Sequence, residues 1–282
     1  MALISVLAGC DSTVNLPESD PQIVVEGWIE DGGFPIVMVT TTVPVNEVVT
    51  DLSQLEEHVV NWAKVTISDG DKEVILTGQK NSNYFPPYIY TTLFMEGKSG
   101  KTYDIKVEYS GRTATASTTI PSPKELEYIK VRRSKEKEDM YYLVGGLKDN
   151  PATKDYYKLF TKVRDKDSYY VSSFLGLTDD ESLKEGLNEI PINNGVGKID
   201  EQLTTYFTSE DFIQVRFCTL DRTSWMYWSD YEEVQSLSSN PFFPISTDIR
   251  SNIKGGLGYW AGYGSTYYNV SVQDSLRVGR VY

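Results

Sequence analysis

Thiol and imidazole chemistry can come from only three side chains here, Cys10, Cys218 and His58, because the sequence has two cysteines and one histidine. Cys10 ends the stretch Leu7-Ala8-Gly9-Cys10, in which an apolar residue and two small ones precede a thiol. That is the form of a lipobox, where a signal peptidase cuts before a diacylated cysteine. Ala2 to Ala8 is a short apolar run of the kind such a signal uses, but no Lys or Arg precedes it, so the signal reads as truncated at its start. The alternative makes Leu3 to Leu7 a first core strand and Cys10 a buried small residue. Asp11 to Gln22, polar and Pro-interrupted, is a tether that such a strand would not need. Two or more acyl chains on Cys10 would hold the protein stably at a bilayer. No other apolar run approaches the ~18 residues of a spanning helix.

The remaining chemistry is thin. One histidine excludes an HExxH site, and no paired CxxC offers zinc four ligands. A Ser-His-Asp triad would have to recruit His58 from LEEHVVNW, and no GxSxG occurs; His58 reads as an exposed residue before a strand. Cys218, in the strand-like FIQVRFC, has no disulfide partner once Cys10 is lipidated and reads as a buried small hydrophobe. The segment GGLGYWAGYGS (Gly255 to Ser265) lacks the ending of a phosphate loop and suits a strand that another backbone or ring approaches closely. Asp165 and Asp167, and Asp179, Asp180 and Glu181, could ligate Ca²⁺ from loops, but neither set matches an EF-hand, and acidic loops are usually just solvated. With 40 acidic residues, no carboxylate pair for glycoside hydrolysis can be singled out. The expectation is no catalytic residue, no metal and no cofactor: not an enzyme.

Bulk properties narrow the partners. The 282 residues carry a formal charge of −13, which repels a phosphate backbone, so nucleic acid is not an expected partner. The one basic cluster, Lys130 to Lys137, reads as a solvated strand end. Tyrosine is the outlier at 20 copies against 10 Phe and 5 Trp. Its ring packs while its hydroxyl stays hydrated, which suits strands and wet binding surfaces.

The elements that must position these residues are strands. QIVVEGWIE, PIVMVTTTVPV, AKVTISDG, EVILTG, TYDIKVEYSG and RTATASTTIP are short runs rich in Val, Ile and Thr, closed by Gly, Asp or Pro. In TYDIKVEYSG the alternation puts Tyr103, Ile105, Val107 and Tyr109 on one face. Tyr109-Ser110-Gly111-Arg112 is a hairpin turn. The density of strands predicts an all-β protein with an Ig-like β-sandwich over residues 23–121, after a signal and tether at 1–22. Pro121-Ser122-Pro123 ends that unit, since two prolines forbid ladder pairing.

Residues 122–282 continue as a larger antiparallel β domain, barrel or sandwich, with LEYIKVRR, MYYLVGGLKD, DYYKLFTKVRD, YYVSSFLGL and DFIQVRFCTL as strands. It holds 15 of the 20 tyrosines, four times as adjacent pairs: Tyr141-Tyr142, Tyr156-Tyr157, Tyr169-Tyr170 and Tyr267-Tyr268. Neighbours on a strand point to opposite faces, so the outward rings form either a ligand surface or a layer under a loop or second sheet. One helix is predicted near 224–237, capped by Thr223-Ser224, with Tyr227, Trp228, Tyr231 and Val234 at helical spacing. Such a stripe is more often packed on a sheet than wrapped round a ligand. The aromatic residues of the helix and of the Gly-rich strand, Trp225, Trp228, Tyr259, Trp260 and Tyr263, are the candidate ligand or partner surface, and residues 23–121 are expected to be a spacer.

VVEGWI, AKVTISDG, the run from Gly100 to Pro121, DNPATKDYYKLF and SNIKGGLGYWAGYGS, in that order, resemble the Bacteroidota lipoproteins catalogued as domain of unknown function 4249. The resemblance runs from the lipobox nearly to the C-terminus. It implies an outer-membrane lipoprotein acting beside a TonB-dependent transporter as an accessory of uptake, with lipid attachment at Cys10 and a bilayer as second partner. It implies no catalytic or ligand residues, and leaves the ligand and the membrane face open. The alternatives are a structural or adhesive surface protein and an anchored glycan or peptide hydrolase.

Overall fold

Burial alternates along the strands Ile23–Glu30 and Thr102–Tyr109 because their sequences do. In the computed structural model, which describes residues 20–43, 54, 56–150, 152–195, 205–238 and 249–278, eight strands precede Pro121. They are β1 (Ile23–Glu30), β2 (Ile36–Thr41), β3 (Lys64–Ser68), β4 (Glu73–Ile75), β5 (Thr77–Lys80), β6 (Tyr88–Thr91), β7 (Thr102–Tyr109) and β8 (Arg112–Thr119). Seven follow: β9 (Tyr128–Arg133), β10 (Tyr141–Asp149), β11 (Tyr156–Val163), β12 (Val171–Asp179), β13 (Gly186–Ile192), β14 (Phe212–Leu220) and β15 (Leu257–Ser271). Helix α1 spans Arg222–Ser238 and α2 spans Val272–Val278.

An eight-stranded sheet, ordered β12-β11-β14-β15-β1-β2-β6-β5, forms the spine. Two smaller sheets cover one of its faces. The sheet β4-β3-β7-β8 lies over the β1 end, where Ile23, Val25, Ile29, Val37 and Val39 meet Val65, Ile67, Ile105 and Val107 in one buried cluster. The sheet β13-β10-β9 lies over the β11 and β14 end, where Leu159, Val163, Ile213, Val215 and Phe217 meet Ile129, Leu143 and Ile192. The architecture is all-β and sandwich-like, with open sheets and no closed barrel among the described residues. Burial of β7 alternates as its sequence does, and β7 and β8 join through Ser110 and Gly111, both at positive φ (50° and 74°), the twist a two-residue hairpin needs.

Three features differ from the sequence expectation. EVILTG is two strands: β4 pairs in the small sheet and β5 in the large one, and the chain changes sheets at buried Leu76. The cap of α1 is Asp221, whose carboxylate accepts from the Ser224 N–H at 2.7 Å, so Thr223 and Ser224 lie inside the first turn. The boundary expected at Pro121–Pro123 lies between β8 and β9, yet the spine runs across it. β15 pairs with β1 in parallel, from Val24 opposite Leu257 to Glu30 opposite Tyr263, while the other strand pairs are antiparallel.

The Gly-rich segment explains how β15 fits there. A Cβ on Gly264 would lie 2.5 Å from the Pro121 carbonyl oxygen, and one on Gly262 2.7 Å from that of Thr119. The end of β8 and the Pro121–Pro123 connection cross directly over β15, so of the two close approaches the glycines allow, a backbone or a ring, it is a backbone.

Candidate functional site

Among the described residues, the second face of the spine carries no covering sheet. Because side chains alternate, β1 turns Glu26, Trp28 and Glu30 to this face while Ile23, Val25 and Ile29 go to the core. The parallel register sets Tyr259 beside Glu26, Ala261 beside Trp28 and Tyr263 beside Glu30. On the other side of β15, Tyr267 faces Arg216 of β14, and Arg216 faces Phe160 of β11. Helix α1 covers part of this surface: the Trp228 indole N–H donates to the Tyr263 hydroxyl at 3.0 Å, and Tyr227 lies 4.3 Å from Tyr259 between ring centroids.

What α1 leaves open is a cleft of about 610 Å³, within the ~300–1,000 Å³ of small-molecule sites. Glu26, Trp28, Glu30, Phe160, Arg216 and Tyr263 are part of its lining. Phe34, Tyr84 and Phe85 line it from the loops after β1 and β5, and Tyr169 and Tyr170 from the entry to β12. Trp28 pairs with Tyr84, and Tyr170 with Tyr267, each at 6.0 Å between centroids.

A buried ion pair stands in this aromatic setting. Arg216 Nη2 lies 2.9 Å from Glu30 Oε2, and the Tyr267 hydroxyl donates to the same carboxylate at 2.7–2.8 Å. The contact is an ion pair, and Nη2 has no hydrogen-bond partner among the described residues. Nε donates to Ser265 Oγ at 3.3 Å. The guanidinium carbon sits 5.0 Å from the Tyr263 centroid, 5.4 Å from Phe160 and 5.6 Å from Trp28. Burial, the largest single effect, works against the charge, but Glu30, Cys218, Tyr267 and Tyr263 together outweigh it, and the Arg216 pKa stays above its ordinary value.

Glu26 behaves differently. Protein crowds it on every side but the cleft, and this desolvation pushes its carboxyl pKa up although the Tyr259 hydroxyl donates to it at 3.1 Å. Burial, with Glu26 adding to it, lifts the Tyr259 hydroxyl well above its usual range. Glu26 and Glu30 are four residues apart on one strand, about 13 Å along the backbone. Beyond the cleft wall, Lys158 of β11 is buried and ion-paired with Glu232 of α1; desolvation lowers its pKa against the pull of that carboxylate.

With this geometry the chain can be compared with known proteins. A family model described as domain of unknown function (DUF4249) matches residues 11–268. The chain belongs to that family. No curated protein matches it.

Of the candidate surface in this family member, Trp228, Tyr259 and Tyr263 line the cleft. Trp260 does not: it points to the opposite face, fully buried, with its indole N–H on the Tyr103 carbonyl at 2.9 Å. Trp225 packs on Tyr156 at 5.3 Å and is not part of the lining. Cys10 lies outside the described residues. The stripe of α1 packs on the sheet, as its spacing predicts. Residues 23–121 are more than a spacer, because β1, β2 and the β5–β6 loop form one wall of the cleft. Sequence reasoning missed Glu26, Glu30 and Arg216. Their signal was charge on the otherwise apolar strands QIVVEGWIE and FIQVRFC.

Cys218 is fully buried and unpaired, and burial raises its thiol pKa. His58 is half-buried, near the Thr41 hydroxyl. The acidic loops are used locally: Asp167 accepts from the Val163 N–H, Asp179 caps the turn at Ser182, and Asp180 accepts from the Asp155 N–H. Among the described residues no group of three or more His, Cys, Asp or Glu is placed to hold a metal ion, and no helix is long and apolar enough to cross a membrane.

Proposed function

We propose that this protein is a non-catalytic binding protein, held at the outer membrane by a lipid on Cys10 and serving a TonB-dependent transporter, with the cleft as its ligand site. The observation that carries the binding role is the cleft itself: a concave aromatic surface with a few converging polar groups. Its walls come from segments far apart in sequence, a construction that fixes ligand groups in place. The anchor rests on the lipobox, and the transporter on what the family resemblance implies.

The decisive experiment is affinity capture of the full chain from solubilised outer membranes of its host, with partners identified by mass spectrometry. A β-barrel transporter should co-purify. A chain that never travels with one removes the accessory role. Cys10→Ser should move the protein to the soluble fraction; a Ser variant that stays with the membrane after a high-salt wash refutes the anchor.

A further inference from the structure

If the cleft is the ligand site, its chemistry selects a ligand class. A polar recess of about 420 Å³, lined by Ser82, Arg164, Lys166 and Gln214 among others, continues the cleft and shares Asn83, Lys162 and Ser168 with it. Together the two hold four cations, Lys162, Arg164, Lys166 and Arg216, and four carboxylates, Glu26, Glu30, Asp165 and Asp167. The site is formally neutral in a chain of charge −13. Its outer cations are already engaged: Lys162 on the Ser168 carbonyl at 2.9 Å, Lys166 on Asp211 at 2.6 Å, and Arg164 over the Phe212 ring at 3.5 Å.

Each charged class meets an opponent. A cation entering among the aromatic rings would face the Arg216 guanidinium, and an anion would face Glu26 and Glu30. A wholly apolar ligand would strip water from those three groups and return no hydrogen bond. A peptide binding as an added strand needs a free sheet edge, but β1, β14 and β15 under the cleft are paired on both sides, and the edge strand β12, which brings Val171 and Ser172 to the cleft, is already bridged at Ser173 by Gly195. The floor offers donors and acceptors side by side. Among the described residues only the Nε–H of Arg216 finds an acceptor, although the side chain is 6% exposed and lines the cleft. Glu30, next to it, retains lone pairs beyond those used by Tyr267. A hydroxyl both donates and accepts, so vicinal hydroxyls on an apolar ring match this array.

We propose that the cleft takes a neutral oligosaccharide, with sugar rings lying on the Trp28–Tyr84 and Tyr170–Tyr267 pairs and hydroxyls bridging Arg216 and Glu30. Tyr84 is the probe residue, because it sits on a loop and outside the buried core clusters. The full chain is titrated with neutral trisaccharides of glucose, mannose, galactose and xylose, with matched uronic-acid trisaccharides, and with neutral tripeptides. Binding is read by tryptophan fluorescence and calorimetry. At least one neutral trisaccharide should bind saturably; Tyr84→Ala should weaken it at least tenfold without moving Tm, and Tyr84→Phe should retain it. Uronates or peptides binding alone, still sensitive to Tyr84→Ala, overturn the saccharide assignment while leaving the cleft as the ligand site. Saccharide binding that ignores Tyr84→Ala, or no saccharide binding at all, also overturns it.

Discussion

Replacing Arg216 by Met leaves the Glu30 carboxylate at the cleft floor without its counter-charge. Breaking a buried ion pair by removing one partner costs about 3–5 kcal/mol. The two partners fall at different places in that range. The Glu30 side chain is 18% exposed and retains two contacts from Tyr267, so Arg216→Met should cost about 3 kcal/mol. Glu30→Gln instead strands a guanidinium whose side chain is 6% exposed and makes one hydrogen bond, a cost of about 4 kcal/mol. The double variant removes both charges and should cost no more than the larger single change, an interaction energy of about 3 kcal/mol. The assay is urea unfolding at neutral pH for the four proteins, with melting as a check. Arg216→Met should lower Tm by about 6–12 °C, at ~2–4 °C per kcal/mol. Single variants that each lie within about 1 kcal/mol of the parent, and add, would show a pair screened like a surface one and refute the argument.

Three further outcomes follow from individual contacts. Burial holds the Glu26 pKa above that of the unfolded chain, so between the two values the unfolded chain ionises while the folded one keeps its proton, and folding stability falls as pH rises. Glu26→Gln removes this term: its stability relative to the parent should improve as pH rises from about 4 through the folded pKa and then level off, and a flat difference in urea midpoints contradicts it. Gly264→Ala puts a methyl 2.5 Å from the Pro121 carbonyl and 2.8 Å from the Pro123 nitrogen, both backbone. Melting should show a loss of about 1–3 kcal/mol, and an unchanged Tm would mean that the crossing connection is loose. In a Cys10→Ser background, Cys218 should resist a thiol reagent in the folded protein and react fully in denaturant, because it is inaccessible and its thiol pKa is raised. Rapid native labelling would refute its burial.

Sequence by itself determined what is periodic or local. The alternation of TYDIKVEYSG prescribed which face of β7 is buried, because a strand turns successive side chains to opposite sides. Ser110-Gly111 prescribed the hairpin, since a two-residue turn needs positive φ. The stripe on α1 pointed to packing on the sheet, and the glycines of β15 to a close approach by a backbone or a ring, which proved to be backbone. A single histidine already excluded an HExxH site.

Which strands lie next to each other was decided only in three dimensions. A strand's ladder groups are the same backbone N–H and C=O whatever its residues, so nothing in QIVVEGWIE names its partner. The parallel pairing of β1 with β15, more than 230 positions apart, put Glu26 beside Tyr259 and brought Glu30 across to Arg216. It joined the segments on either side of Pro121 into one sheet and made a cleft from both. Trp260 shows the same dependence: it is one residue from Tyr259 in a stretch of interleaved glycines and aromatics, but strand alternation and the sheet covering that face sent it into the core, while Tyr259 faces the cleft.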